Sequence, residues 1–456
     1  MNERVNQLLE RWMPEYTAML QRWVQVPSVK DSPAEGAPFG VEVRRMLDTA
    51  REDIEGFGFE TRVFDGYAMD ATLPGRTDEV IAVLGHLDVV PVGDGWRVPP
   101  FAGVLEGETL LGRGAIDDKG PALAALFALR AIREAGVPLK KGVRLILGCD
   151  EESGWQCMAY YMRHAEMPRV GFSPDASFPL INTEKGALHV LMHGRLAAEG
   201  LQVKELWTGE RMNVIPGVST ALVEGGEAEA ETVRAFAERT GLPVTAEVTP
   251  QGLRLTAEGI PGHAAYPEGC RNAIGLMLLT LRELGVQGCL RTLAGAVGLE
   301  YDGASLGIAC RDEVSGPLTC NLGILHVDAE GGVFATLDCR CPITADLKAL
   351  DETARAHLSG FTFEPSSFTP PHHVPADSEL VTALLAAYTG VTGEEAEPES
   401  TGGGTYAKVL AEGVAFGAVF PGESDLCHQA NELVSLPNML RAAKIYADAI
   451  IRLCGE

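Results

Sequence analysis

The chain has 456 residues, 46% of them hydrophobic, and a formal charge of −26. That length exceeds what one hydrophobic core serves and calls for two or more domains. The charge argues against nucleic-acid phosphate or an anionic membrane surface as a partner, and no apolar run approaches the length of a membrane span. The start, Met1-Asn2-Glu3-Arg4, lacks the basic and apolar regions of a signal peptide. The ten cysteines include no Cys-x-x-Cys pair, and Cys339 and Cys341 are one residue apart. They read as reduced thiols in a cytoplasmic protein rather than as disulfides or a zinc knuckle.

Apolar residues Val5, Leu8, Leu9, Trp12, Tyr16, Leu20 and Trp23 recur at helical spacing and predict an amphipathic helix over residues 1–26, kinked or split at Pro14 and ended by Val26-Pro27. A second helix is expected over 40–57. Strand and helix patterns then alternate: a buried strand at 80–84, a helix at 119–135 opened by Gly120-Pro121 and stopped by Gly136, a strand at 143–147, a helix at 153–165, and a short strand at 170–172. Alternation of this kind predicts a mostly parallel sheet with right-handed crossovers and flanking helices. From about Gly186 the texture changes. Strand-like runs at 188–196, 244–256 and 333–338 mix with helices at 229–240 and 272–284, and read as an α+β insertion. The first texture returns with a helix at 380–389, a strand at 414–420 and a closing helix at 437–453. Thr369-Pro370-Pro371-His372-His373 reads as a hinge or linker. The expected fold class is therefore α/β: a domain of residues 1–186 and 376–456 with a mostly parallel sheet flanked by helices, interrupted by a large α+β domain of residues 187–375.

Polar clusters fall at the ends of the predicted strands. Gly85-His86-Leu87-Asp88 places a His and an Asp two residues apart where a buried strand stops, so that one imidazole nitrogen can bind a metal while a carboxylate fixes the other. Asp117 and Asp118 are adjacent before a helix, where one would serve as a cap, yet two neighbouring carboxylates need a compensating cation or hydrogen bonds. Asp150-Glu151-Glu152 puts three acids at a strand end, more than capping and the helix dipole require. Ser173-Pro174-Asp175 and Leu426-Cys427-His428-Gln429-Ala430-Asn431-Glu432 complete the set. Singly each has an ordinary structural explanation. Together they form a mixed N/O donor set suited to Zn²⁺ or Mn²⁺, of the composition found in two-metal hydrolytic sites.

The stretches Gly85-His86-Leu87-Asp88-Val89-Val90-Pro91, Gly112-Arg113-Gly114-Ala115-Ile116-Asp117-Asp118-Lys119-Gly120, Asp150-Glu151-Glu152-Ser153-Gly154 and Pro174-Asp175-Ala176, with His428, resemble the metal-binding motifs of the aminoacylase, succinyl-diaminopimelate desuccinylase and carboxypeptidase G metallopeptidase family. Within it, Trp96-Arg97-Val98-Pro99-Pro100-Phe101, Gly402-Gly403-Gly404-Thr405-Tyr406-Ala407 and the long insertion are similar to the PepV-type bacterial dipeptidases. The resemblance implies two divalent metal ions per subunit, Zn²⁺ ahead of Mn²⁺ or Co²⁺. His86 and Asp175 would hold one, Glu152 and His428 the other. The residues alone do not choose between Asp117 and Asp118; the family pattern makes Asp117 the bridge, in a peptide that is cis in relatives. Asp88 would orient His86, and Glu151 would be the general base for a metal-bridged water.

The insertion would act as a lid. Gly262-His263-Ala264-Ala265-Tyr266-Pro267 matches the family's lid motif and makes His263 an oxyanion donor. Arg211-Met212-Asn213-Val214-Ile215-Pro216 resembles the segment whose Asn assists it. Asp338-Cys339-Arg340-Cys341-Pro342 resembles the segment whose Arg meets the substrate carboxylate, with Cys341 where an aromatic is more usual. Gly403, Gly404 and Thr405 offer N–H groups and a hydroxyl to the same carboxylate. The implied activity is dipeptide hydrolysis by a monomer, with removal of an acyl group from an amino acid as the alternative on the same metal scaffold.

Overall fold

The computed structural model describes residues 2–456. The chain divides into two compact units: residues 2–182, 373–399 and 404–456 form the first, and residues 183–372 with 400–403 the second.

In the first unit the strand order across the sheet is Thr61–Phe64, Ala68–Leu73, Gly142–Gly148, Val80–His86, Val170–Ser173, Glu412–Ala415. The four central strands, from Gly142–Gly148 to Glu412–Ala415, are parallel, and the first two pair antiparallel at one edge. Parallel strands are covered on both faces, so they are continuous apolar runs rather than alternating ones. Val80–His86 follows this rule: Ile81 to Leu84 are nearly fully buried. The helix Lys119–Ala135 is buried along most of its length and packs beside the terminal helices Glu3–Val24 and Leu436–Cys454. An Ala-rich helix with Leu123, Leu126, Phe127 and Leu129 allows that close approach. Truncating one of these leucines to Ala would cost about 2–5 kcal/mol.

In the first unit, some elements differ from the sequence reading for local reasons. Glu3–Val24 runs unbroken through Pro14, which is exposed, so water can take the carbonyl that the missing N–H leaves. The helix after the acidic triplet begins at Gln156 rather than Ser153, because Asp150 holds a turn in between: its carbonyl accepts from Trp155 N and its carboxylate from Gln156 N. The run 414–420 is two strands, Glu412–Ala415 and Ala418–Val419, separated at Gly417, whose φ is 85° and where a Cβ would lie 2.4 Å from the Phe178 ring.

The second unit is an antiparallel sheet in the order Val244–Thr249, Gly252–Glu258, Val218–Val223, Val203–Thr208, Thr319–Val327, Gly332–Cys341, Gly186–Arg195. The run 244–256 is thus a hairpin. The helices Glu227–Thr240 and Ala273–Glu283 pack on the sheet, over a core that includes Leu206, Leu325, Ala335 and Met192.

Candidate active site

The site of the first unit is built on strand ends. Val80–His86 delivers His86, whose own backbone N–H donates to Asp118 Oδ2 at 3.1 Å. Gly85 is needed beside it, since a Cβ there would lie 2.6 Å from that same Asp118 oxygen and 2.9 Å from Ala122 Cβ. The Asp117–Asp118 peptide is cis. Asp118 faces the strand, while Asp117 faces the imidazoles: Oδ1 lies 2.9 Å from His86 Nε2 and Oδ2 lies 2.9 Å from His428 Nε2. Asp175 Oδ2 is 3.5 Å from His86 Nε2, and Glu152 Oε2 is 3.0 Å from His428 Nε2. Donor atoms of His86, Asp117 and Glu152 lie within 4.8 Å of one another, as do those of His86, Glu151 and Asp175. The structure therefore brings together His86, Asp117, Glu151, Glu152, Asp175 and His428.

Asp88 is placed differently from the simple expectation. His86 Nδ1 meets the backbone carbonyl of Asp88 at 2.9 Å, and the nearer carboxylate oxygen at 3.6 Å. The Asp88 carboxylate is taken by two N–H donors, Glu151 N and Glu152 N, each at 3.1 Å. Asp88 thus serves the imidazole through its main chain and the acidic turn through its side chain.

The electrostatics are those of a site built around cations. Burial, reinforced by the Asp175 charge, holds Glu151 well above the usual carboxylate range. Burial and the Asp117 charge push Glu152 up to about 7, and the same two causes raise Asp175. Burial works against the charged imidazole of His428, but hydrogen bonds to Asp117 and Glu152 outweigh it and push the group up to about 11. His86 is likewise held well above its ordinary value by Asp117, Asp175 and Asp88 despite burial. Glu152 Oε1 is buried without a hydrogen-bond partner. Two imidazoles, several clustered carboxylates and an unpartnered carboxylate oxygen fit divalent metal ions.

Residues outside the motif roles hold the loops in place. Glu432, fully buried, accepts Ile116 N at 3.0 Å and Asp117 N at 3.3 Å through Oε1, and pairs through Oε2 with the buried Arg113 at 2.7 Å. Arg113 in turn donates to the carbonyl of Gln429 and lies over the Trp96 ring. Lys30 and Ser153 both bind Asp150. Arg113 and Glu432 lie inside quoted motifs, but nothing in the sequence signals that they pair.

In the second unit, Val214 and Ile215 pair with His263 and Gly262, and Ala264 N donates to Asn213 O at 2.9 Å, so Asn213 and His263 sit on adjoining backbones. Ala265 N donates to His263 Nδ1 at 3.1 Å. An accepting Nδ1 leaves the proton of the neutral imidazole on Nε2, which makes Nε2 a donor. Arg340 is gripped by Asp338, Nε to Oδ1 at 2.7 Å and Nη2 to Oδ2 at 2.8 Å, and its Nη1 donates to Gly402 O at 2.9 Å. A guanidinium carries five N–H donors. Gly403 N donates to Thr401 Oγ1. In the first unit, Thr405 Oγ1 accepts Ala407 N and so begins a turn; Gly404 beside it is exposed.

Residues 82–452 match the model of the peptidase family M20/M25/M40. The chain is 38% identical over 449 residues, 95% of its length and 96% of the relative's, to a Bacillus subtilis (strain 168) protein named "Putative dipeptidase YtjP". Among solved structures it resembles human carnosine dipeptidase 1, with a TM-score of 0.62 at 16% identity over 99% of this chain and 98% of that one. It also resembles the Bacillus subtilis YXEP protein, described as a dinuclear metal-binding peptidase, with a TM-score of 0.51 at 12% identity over 97% and 99%. No helix among the described residues is long and apolar enough to cross a membrane.

Proposed function

The chain belongs to the M20/M25/M40 peptidase family, and from that premise we propose that it is a dipeptidase, cleaving short peptides that end in a free carboxylate. As a member of this family it is a metal-dependent hydrolase whose substrates are peptides. The relative named a putative dipeptidase, 38% identical over 95% of this chain, supports that substrate class, and the observation that carries the two-metal centre is Asp117, whose two carboxylate oxygens each meet a different imidazole at 2.9 Å. A carboxylate in that position is suited to being shared by two cations.

Two divalent ions, Zn²⁺ in the first instance, would be held by His86 and Asp175 on one side and by Glu152 and His428 on the other, with Asp117 common to both. When bound, they lower the pKa of water and polarise a carbonyl oxygen. Glu151 takes the proton from the attacking water and passes it to the leaving amine, a task suited to a carboxyl whose burial raises its proton affinity. Asp88 holds Glu151 for this by its backbone N–H. His263, protonated on Nε2, donates to the developing oxyanion, with Asn213 beside it. Arg340, oriented by Asp338, uses its remaining N–H donors on the C-terminal carboxylate, together with Gly403, Gly404 and Thr405. The proposed working compartment is the cytoplasm and the proposed working form a monomer.

Metal analysis tests the centre. Dialysed protein reloaded with Zn²⁺ is expected to hold two ions per chain, and Asp117→Asn to lose both together. Stepwise loss of one ion, or a single ion in the unaltered protein, would overturn the shared role of Asp117.

A further inference from the structure

Asn213 and His263 are carried by two short segments outside the main sheet of their unit, joined by a two-residue ladder. What fixes them is a buried side chain with no place in the roles above. Asn321, on the strand Thr319–Val327, is fully buried. Its Nδ2 donates to Met212 O and to Val214 O, both at 2.9 Å, the carbonyls on either side of Asn213. Its Oδ1 accepts from Asn272 Nδ2 at 2.9 Å. Asn272 is also buried. It donates to Leu322 O at 2.8 Å and caps the helix Ala273–Glu283, accepting Ile274 N at 2.8 Å and Gly275 N at 3.4 Å.

The orientation of the Asn321 amide is forced. Met212 O and Val214 O only accept, so the NH₂ group must face them, and the oxygen is left for Asn272. The backbone is shaped to match. Register with the neighbouring strand slips between Leu322 and Ile324, and a Cβ at the intervening Gly323 would lie 2.3 Å from Met212 O. Only glycine lets the Asn213 segment come this close to the strand.

We propose that Asn321, through its paired hydrogen bonds to the carbonyls of Met212 and Val214, is a positioning residue that sets Asn213 and His263 for transition-state stabilisation. No other side chain of similar size offers two donors on one face and an acceptor on the other: Asp lacks the donors and Leu lacks both. The inference rests on the reading of His263 as an oxyanion donor. It adds that the placing of this donor is governed from a helix N-cap by way of two asparagines.

The test is a double-mutant cycle on dipeptide hydrolysis with metal-loaded enzyme, using Asn321→Ala, His263→Ala and the pair, with unfolding temperatures measured alongside. Asn321→Ala is expected to lower kcat by about tenfold or more with KM little changed, and to cost less than about threefold further once His263 is absent, since residues acting as a unit are non-additive. If Asn321→Ala does not fold, Gly323→Ala replaces it, because it displaces the same segment while leaving the Asn321 amide in place; the same non-additive loss of kcat is expected. Full activity in the Asn321 or Gly323 variant beside an impaired His263→Ala overturns this proposal alone, and so do losses that multiply independently. Full activity of His263→Ala overturns the reading of His263 and this proposal with it.

Discussion

Asp88 Oδ1 accepts the backbone N–H of Glu151 at 3.1 Å, while Oδ2 accepts that of Glu152 at the same distance. One carboxylate therefore fixes the residue assigned to proton transfer and its neighbour assigned to metal binding. Through its main-chain carbonyl the same residue also fixes His86. Asp88→Ala leaves two N–H donors unpaired and loosens the turn. A loss of about 10–100-fold in metal affinity or turnover is expected, as for other residues that support metal ligands. Metal titration followed by steady-state kinetics on the loaded variant measures it.

Glu151 should be separable from metal binding. Glu151→Gln keeps the shape and the Asp88 contact but cannot accept a proton. Turnover is expected to fall by about 10²–10⁴-fold with metal content unchanged. Elemental analysis beside kcat checks this, and loss of metal from the variant would make Glu151 a ligand instead.

Arg340 and Asp338 should behave as one unit. Arg340→Lys keeps the charge but loses the planar fork, and Asp338→Asn loosens its grip. Both variants are expected to raise KM for a free dipeptide by about tenfold or more, as loss of a charge-assisted bidentate contact implies. Neither should affect a dipeptide whose C-terminus is an amide. Equal effects on both substrates would remove the carboxylate from the account.

Removing the metal should destabilise the first unit. The carboxylates around His86 then face one another, and stability supplied by bound ions is withdrawn. At a free metal concentration 100 times Kd a single ion contributes about 2.7 kcal/mol. A chelator is expected to lower the unfolding temperature by several degrees, and added Zn²⁺ to restore it; an unchanged transition would mean that the cluster holds no ion.

The sequence was most legible where one local signal determined one outcome. The helix Lys119–Ala135 matched its predicted bounds, because Gly120-Pro121 opens it and Gly136, at φ 69°, ends it. The buried strand was visible as an apolar run, but its continuation to His86 was not, since a polar residue ends an apolar pattern whether or not the backbone stays extended. The break at Gly417 was hidden because it depends on the distant Phe178 ring. At the site, motif order named residues that the fold gathers, such as His86 and His428, hundreds of positions apart. What motifs could not convey is how those residues are held. Asp88 working through both carbonyl and carboxylate, the Arg113–Glu432 pair, and the chain from Asn272 to Asn321 are all contacts across long stretches of sequence.

Dipeptidase activity distinguishes this metal-dependent hydrolase from a deacylase on the same scaffold. The most direct measurement is the hydrolysis of one dipeptide with a free amine and of its N-acetylated form, by metal-stripped enzyme and by the same enzyme reloaded with Zn²⁺ or Mn²⁺. No turnover is expected when stripped, and cleavage of the free dipeptide alone on reloading. Cleavage of the acetylated compound alone would contradict that expectation and make the protein a deacylase on the same scaffold.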